Sequence, residues 1–125
     1  MNRISLAIHT FPGANETLKR HWPFFQKAGA DEITIISTTD GKSWVPDGIN
    51  HEMIGADLYC QGAHLPLRLL RTLQFLRERK ADWFCVAEYD VLFLKPIPRD
   101  LPEGITAHLA GGKPEGCHCN YFMHG

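Results

Sequence analysis

The sequence predicts an α/β domain in which helices cover both faces of a mainly parallel β-sheet. Runs rich in β-branched and aromatic residues alternate along the chain with segments whose apolar residues recur at helical spacing. The resulting order of strand, helix, strand, helix and strand implies βαβ units, which build parallel sheets. Right-handed crossovers then place helices on both faces of the sheet.

Length and composition are those of one compact globular domain covering residues 1–125. Of the 125 residues, 44% are hydrophobic and 22% are charged, which argues against disorder. A formal net charge of -1 offers no basic field for nucleic acid. No apolar run approaches the roughly 20 residues of a transmembrane helix, and the N-terminus does not resemble a secretory signal. We therefore expect a cytoplasmic protein with no transmembrane segment and no nucleic-acid partner.

Apolar runs predict the strands. The first run covers residues 4–8 and ends in the polar pair His9 and Thr10. The second covers residues 32–38, is rich in isoleucine and threonine, and is followed by Asp40. Residues 51–54 and 105–109 predict two further short strands. The tail from residue 114 to 125 shows no clear period.

Two segments have the spacing of amphipathic helices. The first follows a Pro12-Gly13 break, with Asn15 as the expected N-cap and an apolar stripe formed by Leu18, Trp22 and Phe25. Pro23 within it predicts a bend or the start of a second short helix. The second helix begins at Pro66, and its apolar face is formed by Leu69, Leu73 and Leu76.

The central run, residues 83–94, is apolar except for two carboxylates, Glu88 and Asp90. Ionised groups between hydrophobic segments are costly to bury unless something compensates them. If the strand continues that far, residues two apart share one face, so both acids point the same way and Tyr89 points aside. Two hard oxygen donors side by side suit Mg²⁺ or Mn²⁺. In isolation, a Glu-x-Asp pattern more often caps a turn.

The context favours a binding site over a cap. His9-Thr10, Asp40 and the Glu88–Asp90 pair all follow predicted parallel strands, and ligands of such sheets bind at the carboxyl ends of the strands. Other α/β sites are excluded by missing motifs: no Gly-x-Gly-x-x-Gly, no P-loop and no Gly-x-Ser-x-Gly elbow are present. The first strand also lacks the acidic pair expected of a receiver domain.

With these features the chain resembles the nucleotide-sugar-binding half of GT-A fold glycosyltransferases, the nucleotide-diphospho-sugar transferases with a Rossmann-like sheet. The resemblance rests on the polar end of the first strand, on Asp40 after the second, on the long helix, and on Glu88-Tyr89-Asp90 followed by an apolar stretch. In that family the acid-x-acid element, the DxD motif, binds Mn²⁺ or Mg²⁺ and through it the donor diphosphate.

The resemblance implies roles for five residues. Asp90 becomes the main metal ligand, Glu88 a ribose or metal contact and Asp40 a contact to the nucleotide base, while Thr10 and Arg68 line the donor pocket. The implied activity is metal-dependent sugar transfer from a UDP- or GDP-sugar to an unknown sugar acceptor. The resemblance names no catalytic base. It also implies that residues 1–125 lack the acceptor half, so that the chain alone binds nucleotide weakly and transfers no sugar.

Two alternatives remain open from the sequence. One is nucleotidyl transfer to a sugar phosphate, although that class usually carries a Gly-rich basic loop after its first strand, unlike residues 11–15. The other is a non-catalytic α/β binding or scaffold domain in which the acids only cap turns.

Overall fold

Strands and helices alternate in the computed structural model, which describes residues 3–54, 65–100, 105–109 and 119–124. For residues 65–69, 105–109 and 119–124 it is the backbone that is described. The strands are β1 (Ile4–His9), β2 (Glu32–Thr38), β3 (Asn50–Ile54), β4 (Trp83–Glu88), β5 (Ile105–Leu109) and β6 (Cys119–His124). The α-helices are α1 (Asn15–Gln26) and α2 (Leu65–Leu76), and a 3-10 turn, Pro12–Ala14, precedes α1.

The described strands form one sheet in the order β3-β2-β1-β4-β6-β5. The first four strands in this order are parallel to one another, whereas β6 runs antiparallel to both β4 and β5. The predicted α/β class with parallel strands near residues 4–9, 33–38 and 83–88 is therefore confirmed. The prediction missed β6, which lies in the tail that has no clear period.

Helix α1 covers one face of the sheet. Ile4, Leu6 and Ile8 of β1 lie in one buried cluster with Leu18 and Phe25 of α1. The cluster also includes the side chains of Ile35, Trp83, Cys85, Ala87 and Ile97. Since alternate side chains of a strand face opposite sides, the apolar residues at even positions of β1 define this face. The apolar stripe predicted in α1 therefore packs against this face of the sheet.

Helix α2 covers the opposite face. Ala7 of β1, Ile36 of β2 and Val86 of β4 form a second buried cluster with Leu76 of α2, and Phe75 packs against it. The predicted arrangement, with helices on both faces, is confirmed. Because each central strand contributes to both clusters, these strands carry apolar residues at consecutive positions, as buried parallel strands do.

The start of α1 differs from the prediction. Ala14 occupies the N-cap position, and Asn15 is the first residue of the helix. The side chain of Asn15 instead bonds the loop after β2: its Nδ2 donates to the carbonyl of Lys42 at 2.9 Å, and its Oδ1 accepts from the amide of Trp44 at 2.8 Å. The helix continues through Pro23 to Gln26. Gly29, with φ of 67°, lets the chain turn towards β2.

Candidate functional site

The order of the parallel strands places a crevice between the carboxyl ends of β1 and β4. From β1 the chain proceeds outwards to β2 and β3 and then returns to the other side of β1 with β4. In open α/β sheets ligands bind where the strand order reverses in this way, just outside the carboxyl ends of the strands. His9, the last residue of β1, lies opposite Glu88, the last residue of β4.

The acid-x-acid element forms a turn at this position. Strand β4 ends at Glu88, and the amide of Val91 donates to the carbonyl of Glu88 at 3.3 Å. The expectation that Glu88 and Asp90 share a strand face is therefore wrong, because Asp90 lies in the turn and not on the strand. Glu88 follows Val86 by two positions and so belongs to the α2 side of the sheet, where it is half-buried. Asp90 is exposed.

Tyr89 packs on the α1 side of the sheet, opposite to the side on which Glu88 lies. Its ring meets the ring of Phe11 edge to face, with a centroid separation of 5.5 Å, and it lies against the core cluster on the α1 side. Phe11 lies two residues after the end of β1, and Tyr89 directly follows β4, so this aromatic pair bridges the ends of β1 and β4. Such pairs contribute about 0.5–1.5 kcal/mol beyond the area they bury. No role for Phe11 was predicted from the sequence, although an aromatic residue after each of two strand ends was an available signal.

Thr10 directly follows the last residue of β1. It is fully buried, and its amide donates to the carbonyl of Ile36 at 2.9 Å, which extends the β1–β2 ladder by one bond. In the described part of the chain its hydroxyl has no hydrogen-bond partner. A buried hydroxyl without a partner costs free energy, and such groups are uncommon in folded proteins. The donor-pocket role of Thr10 stays a prediction.

His9 connects the end of β1 to α2. It is 2% exposed, and its Nε2 lies 2.8 Å from Oγ1 of the buried Thr72. Arg68 lies in α2 one helical turn before Thr72, and its side chain is outside the described residues. Helix α2 connects β3 to β4, and these two strands are parallel. The helix must therefore run in the opposite direction, so its N-terminal part lies towards the carboxyl edge of the sheet. This places the Arg68 backbone near that edge, and its role as a pocket residue stays a prediction.

Asp40 closes its own turn at the end of β2. Its Oδ1 accepts from the hydroxyl of Thr38 at 2.9 Å and from the amide of Lys42 at 3.0 Å. The bonds from the Lys42 amide and the Thr38 hydroxyl hold the pKa of this exposed carboxyl below its ordinary value. Strands β2 and β4 flank β1 and run parallel to it, so Asp40 and Asp90 both lie at the carboxyl edge of the sheet. Two strand spacings separate β2 from β4, about 10 Å.

The loop after Asp40 folds back on α1. Trp44 is half-buried, and its ring lies edge to face against Trp22 with a centroid separation of 6.2 Å. The ammonium group of Lys19 lies 5.9 Å from the centre of the same ring. Trp44 therefore packs on the helix, which gives it a structural role.

The residues present fit a divalent cation only in part. Glu88 and Asp90 supply carboxylate oxygens, the donors that Mg²⁺ and Mn²⁺ prefer. Within the described residues, no group of three or more His, Cys, Asp and Glu side chains could hold a metal ion. Two carboxylates suffice for Mg²⁺ in nucleotide sites, because phosphate oxygens and water complete its octahedron.

No family model, curated protein or solved structure matches the chain. Likewise, among the residues that the structure describes, no helix is long and apolar enough to span a bilayer. Function is therefore inferred from the residues at the carboxyl edge of the sheet.

Proposed function

We propose that this chain is the donor-binding domain of a metal-dependent glycosyltransferase that uses a nucleotide-diphosphate sugar. One observation carries the proposal: Glu88 ends β4 and begins the turn with Tyr89 and Asp90 beside the end of β1, where the order of the parallel strands reverses. An acid-x-acid element at this point of an α/β sheet matches the site in which GT-A transferases hold a cation and the donor diphosphate.

Asp90 is the principal candidate for holding the cation. It is exposed at the tip of the turn, so binding a cation does not require an existing core contact to break. Glu88 is half-buried on the α2 side, which suits a second ligand or a contact to the ribose. The chemistry that Mn²⁺ or Mg²⁺ supplies in such a site is charge neutralisation of the departing diphosphate.

Asp40 and Thr10 are the candidates for the nucleoside end of the donor. Asp40 uses Oδ1 to close its turn, and the two bonds to that oxygen also fix the orientation of the carboxylate. Its second oxygen can then accept from a base or a ribose hydroxyl. A rigid acceptor of this kind binds with little loss of side-chain entropy. Arg68, near the start of α2, is the candidate for a phosphate contact.

Calorimetric titration with UDP and GDP, each with and without Mn²⁺, tests the proposal. We expect binding that requires Mn²⁺ and that favours one of the two bases. EDTA added to the metal-containing sample should abolish the heat signal. If neither nucleotide binds under any of these conditions, the acids only cap turns and the chain is a scaffold domain. Binding of equal strength without metal would exclude the assigned role of Glu88 and Asp90.

A further inference from the structure

The segment after the acid-x-acid turn returns along α1. We refer to residues 91–99 as the return segment. Phe93 packs against Phe25 of α1 with a ring-centroid separation of 5.9 Å, and the amide of Ile97 donates to the carbonyl of Ala28 at 2.9 Å. At its far end, Arg99 donates to the carbonyl of Gly29 at 2.7 Å. The return segment is therefore attached to α1 and to the residues directly after it.

The first attachment of the return segment lies next to Asp90. Nδ1 of His21, on α1, is 3.2 Å from the carbonyl oxygen of Val91. A carbonyl only accepts, so the proton of this hydrogen bond is on Nδ1 and the imidazole donates. The amide of Val91 already donates to Glu88 within the turn. Both backbone polar groups of Val91 are thus bonded, one inside the turn and one to the helix.

Packing alone does not require a histidine at this position. His21, Phe25 and Ala28 follow one another at helical spacing and all contact the return segment. Phe25 and Ala28 are buried, whereas His21 is only half-buried. An apolar side chain could fill this space, but it would leave the Val91 carbonyl without this donor. The turn itself is closed by a long bond of 3.3 Å, so a second restraint beside Asp90 matters.

We infer that His21 is a positioning residue that fixes the turn carrying Asp90 through its bond to the carbonyl of Val91. Helix α1 thereby determines where the Asp90 carboxylate lies relative to the end of β1. The inference deepens the proposed function and rests on it, since a metal ligand must be held close to its productive position. His21 itself contacts neither the cation nor the donor.

Two substitutions at His21 and one distant control test the inference. His21→Leu keeps a side chain of similar size and removes the donor, whereas His21→Asn keeps an amide N–H near the position of Nδ1. Arg99→Met weakens the far end of the same return segment, far from the turn. The readouts are the backbone ¹⁵N order parameters of residues 88–91 and the Mn²⁺ affinity measured by electron paramagnetic resonance, with thermal stability measured in parallel.

We expect His21→Leu to lower the order parameters of the turn from about 0.85 towards 0.6, the range of flexible backbone. Mn²⁺ affinity should fall about fivefold, the size expected for loss of one neutral hydrogen bond. His21→Asn should restore most of both values. Arg99→Met should lower thermal stability and leave the turn and the Mn²⁺ affinity unchanged, which separates positioning from a general loss of stability.

The two proposals fail in different ways. If the wild-type chain does not bind Mn²⁺, the proposed metal site is wrong, and the order parameters alone then decide whether His21 fixes the turn. If His21→Leu leaves the order parameters unchanged, the positioning role is wrong whatever the metal result. A more mobile turn with undiminished Mn²⁺ affinity would also overturn the inference, because the position of Asp90 would then not depend on His21.

Discussion

Asp90 is exposed at the tip of the turn that follows β4, beside the end of β1. Asp40 is engaged by the hydroxyl of Thr38 and the amide of Lys42. Glu88 is half-buried at the end of β4. A carboxylate that holds a cation supplies charge, whereas one that caps a turn supplies only an acceptor. This difference makes Asp90 the residue at which the proposed function is tested most directly.

We predict that Asp90→Asn abolishes Mn²⁺-dependent binding of a nucleotide diphosphate and leaves the fold intact. Asparagine keeps nearly the same shape, but its neutral amide does not replace the charge that the cation requires. If Asp90 only capped a turn, asparagine would cap about as well as aspartate, and neither stability nor binding would change. Loss of charge beside Glu88 could also raise the stability of the metal-free protein, because like charges repel.

Thermal-shift measurements with and without Mn²⁺ plus UDP distinguish a metal-binding Asp90 from one that only caps a turn. The matched control is Asp47→Asn, which removes another exposed acid from a loop away from the turn. The control should retain the wild-type shift. Equal metal-dependent shifts in the wild type and Asp90→Asn would show that Asp90 is not part of the site.

The bond between His9 and Thr72 is a second testable feature at the residue level. Both side chains are buried, and the bond joins the last residue of β1 to α2. We predict that Thr72→Val lowers the free energy of unfolding by about 1–3 kcal/mol, because it removes a partner from a buried polar group. Thr72→Ser keeps the hydroxyl and should cost clearly less. Denaturant unfolding measures both variants, and an unchanged free energy of unfolding in Thr72→Val would show that the hydrogen bond does not contribute to stability.

At the level of secondary-structure elements, the central strands were predictable because their local pattern is strong. β1, β2 and β4 are dense in aliphatic and aromatic residues, and buried parallel strands require such runs. β6 was not predictable, because it depends on pairing with β4 and β5, strands distant in sequence. Its composition of Cys, Asn and His beside aromatics gives no alternation. Likewise, the pattern after Asp90 did not reveal that residues 91–99 return along α1.

The far end of the return segment predicts a pH dependence of stability. Arg99 donates to Asp31 Oδ2 at 2.7 Å, and the amide of Ile4 donates to the same oxygen at 2.8 Å. These bonds, with that from Arg99 the stronger influence, hold the pKa of Asp31 below its ordinary value of 3.8. A lowered folded-state pKa contributes stability above the unfolded-state value, and this contribution disappears as the pH falls through the folded-state value.

We therefore predict that Asp31→Asn lowers the free energy of unfolding by about 1 kcal/mol at pH 7, since the pair is partly exposed. The difference from the wild type should shrink below pH about 4, as the pH falls from the unfolded-state pKa of the carboxyl towards its lowered folded-state pKa. Urea unfolding at pH 7, 4 and 2.5 measures the difference. Arg99→Met should show the same narrowing towards low pH. A difference that is constant over this range would mean that charge on Asp31 does not contribute.

At the level of the whole molecule, the parallel sheet brings together residues that are far apart in sequence. Thr10, Asp40 and Asp90 all follow parallel strands, and the sheet places them at one edge. This convergence was predictable, because it depends only on strand direction. The arrangement of these residues relative to one another along the edge was not predictable. The end of β4 at Glu88 depends on the 88–91 turn and on the attachment of the return segment to α1, which no short sequence pattern reveals.

The position of a bound cation relative to the sheet gives a prediction for the whole molecule. Mn²⁺ is paramagnetic and broadens the NMR signals of nearby amides. If the cation binds at the Asp90 turn, the amides of Thr10 and Asp40 should broaden at low Mn²⁺ concentration. The amides of Arg3 and Asp82 lie at the opposite edge, where the amide of Arg3 donates to Asp82 at 2.7 Å. The six residues of β1 separate the two edges by about 20 Å, so these amides should keep their signals.

Two controls make this measurement decisive. Mg²⁺ is diamagnetic and should shift the same signals without broadening them. Asp90→Asn should leave only the weak, uniform broadening of cations near scattered surface acids. Because exposed acids also occur at the opposite edge, a cation attracted by general negative charge would broaden Asp82 as strongly as Asp40. That result would contradict a site at the crevice between β1 and β4, and with it the proposed donor-binding function.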